Sequence, residues 1–146
     1  MAFRKLAQLL EQDLESRHVL LRADLNVPLT DEGEIADPGR ITAALPTIQA
    51  LVAAGAKVVI AAHLGRPKGQ FNQKYSLAPV AEALSDELGQ WVALAQDVTG
   101  EDAHERANGL NDGDVMLLEN VRFDARETSK DASERAEFAA ELAALA

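Results

Sequence analysis

The 146-residue chain contains no cysteine, which excludes disulfides, thiolate metal sites and cysteine nucleophiles. Aromatic residues make up only 4% of the sequence, so Ala, Leu and Val must fill the core, and platforms that stack nucleic-acid bases are not expected. No segment approaches the ~20 consecutive apolar residues that span a bilayer, and the charged N-terminus lacks the apolar core of a signal peptide. We therefore expect a cytoplasmic protein of one domain.

Basic residues are also scarce, with 14 Lys and Arg against 24 Asp and Glu, for a net charge of -10. Binding to nucleic acid or to an acidic membrane needs a dense cationic face, so we expect neither partner. The chain has no glycine-rich phosphate loop or dinucleotide fingerprint, and its three histidines lack metal-ligand spacing. Any anionic ligand must therefore be held by a local cluster of basic side chains.

Short apolar runs alternate along the chain with segments of helical periodicity. The apolar runs predict strands over 18–25, 57–63, 91–96 and 114–123. Helices are predicted after each strand, over 38–54, 77–88, 99–108 and about 133–146, with a kink or restart at Pro46. Asp37 and Ser76 suit the N-caps of the first two. This alternation predicts an α/β fold with a mainly parallel sheet covered on both faces, in three α/β/α layers.

Ligands of open α/β sheets bind beyond the carboxyl ends of the strands. Six polar side chains fall there or in the first turn of the following helix: Asp24, Asn26, Arg40, His63, Arg66 and Arg122. An arginine presents a planar fork of donors that matches phosphate and carboxylate groups, and a helix N-terminus adds positive field near Arg40. These residues predict a site for an anion with more than one charge.

Each of these residues also has an ordinary structural interpretation. An isolated loop arginine is usually a solvated surface residue, and His63 alone would more often cap a strand end than bind a ligand. Asp24, Asn26 and Pro28 together are as typical of a turn as of a site. The residues alone therefore leave open a free-standing anion-binding or interaction module without catalysis.

Five segments of the sequence nevertheless resemble the successive signature segments of the N-terminal domain of phosphoglycerate kinases, in the same order and at similar spacing. The segments are RADLNVPL (22–29), DPGRITAALPTI (37–48), AHLGRPKG (62–69), KYSLAPVAEAL (74–84) and LLENVRF (117–123). The resemblance implies a Rossmann-like domain that binds 3-phosphoglycerate on a basic patch and faces a second domain that binds ATP or ADP with Mg²⁺. The implied reaction is reversible phosphoryl transfer between 1,3-bisphosphoglycerate and ADP, an ATP-yielding step of glycolysis.

The same resemblance implies a role for each site residue. Arg40, in DPGR, would be the catalytic residue that approaches the transferring phosphoryl group, while Asp24 and Asn26 would contact the glycerate hydroxyl and carboxylate. Arg22 would lie close to this set. The residues implied to hold the 3-phosphate are His63, Arg66 and Arg122.

The sequence departs from the family pattern in two respects. Leu25 stands where the family more often has phenylalanine, on the apolar side of the strand. The family pattern also continues with a further strand, another histidine and arginine of the patch, and the nucleotide domain. We therefore expect residues 1–146 to form most of the 3-phosphoglycerate-binding domain of a full-length monomeric enzyme, with no cofactor bound in this chain and no turnover by it alone. A half-domain made without intended activity stays an alternative.

Overall fold

The computed structural model describes residues 5–146 and contains one four-stranded sheet in this range, in which all neighbouring strands are parallel. The strand order is β1-β2-β4-β3. The strands are β1 His18–Arg22, β2 Lys57–Ala61, β3 Val92–Leu94 and β4 Val115–Leu117. Because every strand runs the same way, the four carboxyl ends lie along one edge of the sheet, which we call the carboxyl rim.

Five α-helices surround the sheet in the described range: α1 Leu6–Leu10, α2 Gly39–Ala53, α3 Ala78–Leu88, α4 Glu101–Asn108 and α5 Ala132–Ala143. Alternate residues of β2 enter two separate cores. Ile60 packs in the core that contains α2 and α3, whereas Val59 packs in the core that contains α4 and α5. The sheet is therefore covered on both faces, which confirms the predicted α/β class and its three layers.

The N-caps of α2 and α3 are Pro38 and Leu77, one residue after the predicted Asp37 and Ser76, whose side chains instead accept the backbone N–H of the first helical residue. Asp37 Oδ1 accepts the backbone N–H of Gly39 at 2.9 Å, and Ser76 Oγ accepts that of Ala78 at 3.2 Å. Of the kink or restart predicted at Pro46, the restart does not occur, because α2 runs through this residue as one helix. Pro46 is exposed, so water can satisfy the carbonyl group that its missing N–H leaves unpaired.

The strands are shorter than the apolar runs that predict them. The run 114–123 forms a strand only over Val115–Leu117, and Val121–Phe123 is a 3₁₀ turn in which Asn120 Oδ1 accepts the backbone N–H of Arg122 at 3.0 Å. Side chains thus replace the sheet ladder as hydrogen-bond partners at the rim. None of the helices within residues 5–146 is long and apolar enough to cross a membrane.

Candidate functional site

The first two strand-end loops are joined at the carboxyl rim by Asn26. Asn26 Oδ1 accepts the backbone N–H of Gly65 at 2.9 Å, across 39 residues of sequence. Asp24 Oδ1 in turn accepts the backbone N–H of Asn26 at 3.2 Å, which fixes the turn after β1. The two side chains therefore act first on the backbone and hold the loop after β2 against the loop after β1.

Arg40 reaches the same loop from the first turn of α2. Its Nη1 donates to the carbonyl oxygen of Asn26 and lies 3.5 Å from Asp24 Oδ1. The Arg40 and Asp24 side chains are 52% and 65% exposed, so this ion pair contributes little to stability and leaves Arg40 accessible. A guanidinium in this position can turn toward an anion at small energetic cost.

His63 follows β2 and lies among charged groups from three other segments. Arg22 Nη2 lies 3.3 Å from His63 Nδ1 and 3.4 Å from Glu127 Oε1. Burial lowers the pKa of His63 below its usual 6.5, and the positive charges of Arg122 and Arg22 lower it further, while Asp24 and Glu127 oppose the change. His63 is therefore neutral at pH 7 and serves as a hydrogen-bonding group rather than as a cation.

Arg66 and Arg122 are arginines of this region whose positive charge is not paired with a carboxylate within residues 5–146. Neither forms an ion pair with another residue in the described part of the chain. The Nε atom of Arg122 is buried and has no hydrogen-bond partner within residues 5–146. Arg66 is exposed on the loop that also carries His63. A buried donor without a partner is costly, so a ligand oxygen bound at Arg122 would gain binding free energy there.

Two buried polar residues, Glu119 and Asn120, hold these loops in place from below. Glu119 Oε2 accepts the hydroxyl of Ser76 at 2.7 Å, and Asn120 Nδ2 donates to the carbonyl groups of Leu64 at 2.7 Å and Tyr75 at 3.0 Å. Sequence analysis gave neither residue a role. The available signal was two polar residues directly after a buried apolar run, where satisfied hydrogen bonds are required.

The loop after β2 also depends on two glycines with positive φ. Gly65 has φ of +60°, and a Cβ atom there would lie 2.5 Å from the ring of Tyr75. Gly69 has φ of +76°, and its Cβ would lie 2.8 Å from Cβ of Ala125. A larger residue would be strained in backbone and crowded in side chain at both positions. The glycines therefore let the loop lie flat against its neighbours at the rim.

The groove that Asn26 and Gly65 border lies beside the basic residues rather than over them. It has a volume of about 1120 Å³ and is bordered by Asn26 and Gly65, but its walls also carry five carboxylates: Asp31, Glu32, Glu34, Glu82 and Asp86. Negative charge of this density disfavours a phosphate. Arg40, His63 and Arg122 are not among the residues that line this groove. No group of three possible metal ligands occurs among the described side chains.

The predicted site residues thus fall into two sets. Direct hydrogen bonds connect Asp24, Asn26 and Arg40, and Asn26 links them to the loop of His63. Arg122 lies near enough to influence His63, whereas Arg66 forms no ion pair with the set within residues 5–146. Sequence analysis missed Glu127, whose contact with Arg22 spans 105 residues. The arrangement can bind and orient an anion through arginine forks and one neutral imidazole.

Comparison with known proteins gives one consistent family. The family model described as phosphoglycerate kinase matches residues 9–146. The chain is 71% identical over its full length to the phosphoglycerate kinase of Corynebacterium aurimucosum, and 68% identical to that of Corynebacterium glutamicum strain R. It spans 36% of the length of each of these relatives.

Solved structures agree with the sequence comparison. The phosphoglycerate kinase of Pyrococcus horikoshii OT3 superposes on 87% of this chain with a TM-score of 0.77 and 38% identity. That of Coxiella burnetii superposes on 91% of it with a TM-score of 0.75 and 37% identity. In both cases the matched part is 31% of the solved chain, so the likeness covers one portion of a larger protein.

Proposed function

The chain belongs to the phosphoglycerate kinase family, and from that premise we propose that its carboxyl rim binds 3-phosphoglycerate. In the complete enzyme the acyl phosphate of 1,3-bisphosphoglycerate would pass its phosphoryl group to ADP, giving 3-phosphoglycerate and ATP. The reverse transfer, from ATP to 3-phosphoglycerate, would take place at the same site. Residues 1–146 would form most of the domain that holds the three-carbon substrate. Phosphoryl transfer depends mainly on positioning and on stabilising charge, which are the two contributions that an arginine-rich rim can supply.

The observation that carries the proposal is the state of Arg122. Its buried Nε has no partner within residues 5–146, and no carboxylate there pairs with its charge. A phosphate oxygen would satisfy the donor and the charge together. Charge-assisted hydrogen bonds of this kind are worth about 1.5–3 kcal/mol each, enough to favour a dianion over a neutral ligand.

The other site residues take the roles that the family motifs assign. His63 and Arg66 would bind the 3-phosphate beside Arg122, and Asp24 and Asn26 would contact the hydroxyl and carboxylate of the glycerate. Arg40 is the one residue that we place at the reacting end of the substrate. Its exposed guanidinium, which is held by the Asn26 carbonyl group and by a weak pair with Asp24, would turn toward the charge that develops on the transferred phosphoryl group.

The nucleotide and its Mg²⁺ belong, in this proposal, to a part of the enzyme outside this chain. The described residues do not fit either group, because they contain no cluster of three metal ligands and the sequence has no phosphate-binding glycine loop. The resemblance also leads us to propose a cytoplasmic, monomeric full-length enzyme with no nucleic-acid or membrane partner. Sedimentation of the full-length enzyme at several concentrations would test the monomer.

The substrate proposal is tested by NMR titration of the ¹⁵N-labelled chain with 3-phosphoglycerate. We expect saturable shifts of the backbone amides of Asn26, Arg40, Gly65 and Arg122. Arg122→Met should weaken binding by roughly 10- to 100-fold, the equivalent of one charge-assisted hydrogen bond.

Arg17→Met is the matched control for this titration, because it removes the same charge. Arg17 is exposed and precedes β1, at the opposite edge of the sheet. Equal weakening by Arg17→Met and Arg122→Met would mean that net charge alone governs binding, and the proposed site would be wrong. A dispersed spectrum that does not respond to 3-phosphoglycerate would also contradict it.

A further inference from the structure

Arg22 is a half-exposed basic residue at the rim whose side chain contacts His63 and Glu127. Its Nη2 atom lies 3.3 Å from His63 Nδ1 and 3.4 Å from Glu127 Oε1. An Nη2 group has two hydrogens, so it can donate one to each partner. A guanidinium has no acceptor and stays protonated at any working pH. Both partners must therefore act as acceptors.

The protonation of His63 follows from this contact. If Nδ1 accepts from Arg22, it carries a lone pair and no hydrogen, so the single ring hydrogen of neutral histidine is on Nε2. A doubly protonated ring would place an N–H against the Arg22 donor. We infer that Arg22, held by Glu127, is a positioning residue that fixes His63 as the neutral Nε2–H tautomer, so that the ring presents one N–H to an anion at the rim.

The charged groups on every segment that packs against the His63 ring support this inference. Arg22 and Asp24 approach from the end of β1, Arg122 from the turn after β4, and Glu127 from the 3₁₀ turn Ala125–Thr128. Burial and the two arginines lower the pKa of His63, and the two carboxylates raise it. Because the lowering influences prevail, the ring is neutral at pH 7, as the contact with Arg22 requires.

As a fixed neutral donor, the Nε2–H group of His63 attracts an anion with a strength that does not change with pH. This holds until the pH falls below the lowered pKa of His63. Below that pH the ring gains a second hydrogen and the contact with Arg22 is lost, because the positive charges of His63 and Arg22 then repel each other. The identity of the anion rests on the proposed function, but the tautomer is a property of the ligand-free chain.

The test is a two-bond ¹H–¹⁵N correlation spectrum of the histidine rings across pH 5 to 8, without ligand. We expect His63 Nδ1 to resonate as an unprotonated nitrogen and Nε2 as a protonated one. His104 has no ring hydrogen bond within the described residues and serves as the reference for unrestrained exchange between tautomers. A His63 ring protonated on Nδ1 at neutral pH would overturn the inference without any variant.

Three variants extend the test. Arg22→Met should move the His63 ring shifts toward those of His104 and raise the pKa of His63, because the positive charge of Arg22 lowers it. Glu127→Gln keeps an acceptor but removes a carboxylate, so it should lower that pKa instead. Arg17→Met should change neither quantity. Unchanged ring shifts and pKa in Arg22→Met would refute the positioning role.

Addition of 3-phosphoglycerate separates this inference from the proposed function. A shift of the His63 Nε2 resonance on addition would support both. If the tautomer is as expected but Nε2 does not respond to 3-phosphoglycerate, the inference stands and the proposed substrate is wrong.

Discussion

Replacement of Gly65 by alanine tests whether the loop after β2 is packed as tightly as its geometry indicates. Two separate penalties are expected. A left-handed backbone costs a residue with a Cβ atom about 1–2 kcal/mol, and Gly65 has φ of +60°. The new Cβ would also lie 2.5 Å from ring carbons of Tyr75, and overpacking of this kind costs about 1–3 kcal/mol. We therefore expect Gly65→Ala to lower the free energy of unfolding by about 2–5 kcal/mol.

The chain itself provides the matched control at Gly89. This glycine has φ of +66°, but nothing lies within 4 Å of the Cβ that alanine would add. Gly89→Ala should therefore show only the backbone penalty of about 1–2 kcal/mol. Unfolding in urea, followed by far-ultraviolet circular dichroism, measures both variants, since single domains of this size usually unfold in one transition.

The difference between the two glycine variants isolates the contact with Tyr75. In the background of Tyr75→Ala the ring is absent, so Gly65→Ala should then cost no more than Gly89→Ala, and the double-mutant cycle gives the coupling. If Gly65→Ala and Gly89→Ala destabilise the chain equally with Tyr75 present, the ring moves aside without cost. The reasoning that the Tyr75 ring fixes this loop would then be refuted.

Three further predictions concern other parts of the rim and its support. Asn120→Ala should lower the free energy of unfolding by about 2–4 kcal/mol, because it leaves two buried carbonyl groups and a backbone N–H without partners, whereas the exposed Asn111→Ala should be nearly neutral. Lys68 is exposed with φ of +62°, so Lys68→Gly should raise the urea midpoint by the equivalent of about 0.5 kcal/mol; a lower midpoint would contradict the strain argument. The hydrogen bond from Arg126 lowers the pKa of Asp124 below its unfolded value of 3.8, so this pair stabilises the fold fully above that pH and is lost as the pH falls through the lowered pKa. Arg126→Met should therefore make unfolding stability less dependent on pH in acid, and an unchanged slope in urea titrations at successive pH values would exclude the linkage.

The alternation of apolar runs and helical segments was sufficient to predict the class of fold. The run that contains β2 shows no alternation because both of its faces are buried, and this is why the run indicates a central parallel strand. The strand ends were less predictable. The apolar run continues past Leu117, but the side chains of Glu119 and Asn120 accept the backbone N–H groups of Asn120 and Arg122, and periodicity contains no information about these bonds.

The candidate site residues follow strand ends in the sequence and occur in the family motifs, and their roles stay predictions. Their supporting contacts were not predictable, because those contacts join distant parts of the chain. Arg22 and Glu127 are 105 residues apart, and Asn120 and Leu64 are 56 apart. A local pattern cannot reveal such pairs. Buried polar residues such as Glu119 could have been recognised as groups that require hydrogen-bond partners. The sequence could not have identified those partners.

The strand order also has a consequence for how the chain is made. β3 pairs only with β4, and the second edge of β2 is also filled by β4, which begins more than fifty residues after β2 ends. At a synthesis rate of roughly 5–20 residues per second, β4 is made about 3–10 s after β2. During this interval one edge of β2 is open, and β3 has no strand beside it. Because the 3₁₀ turn with Arg122 follows β4, the residues of the proposed anion site come together only at the end of this interval. Open strand edges invite pairing with other chains, so synthesis of β4 is the step that covers the open edge of β2 and gives β3 a neighbouring strand.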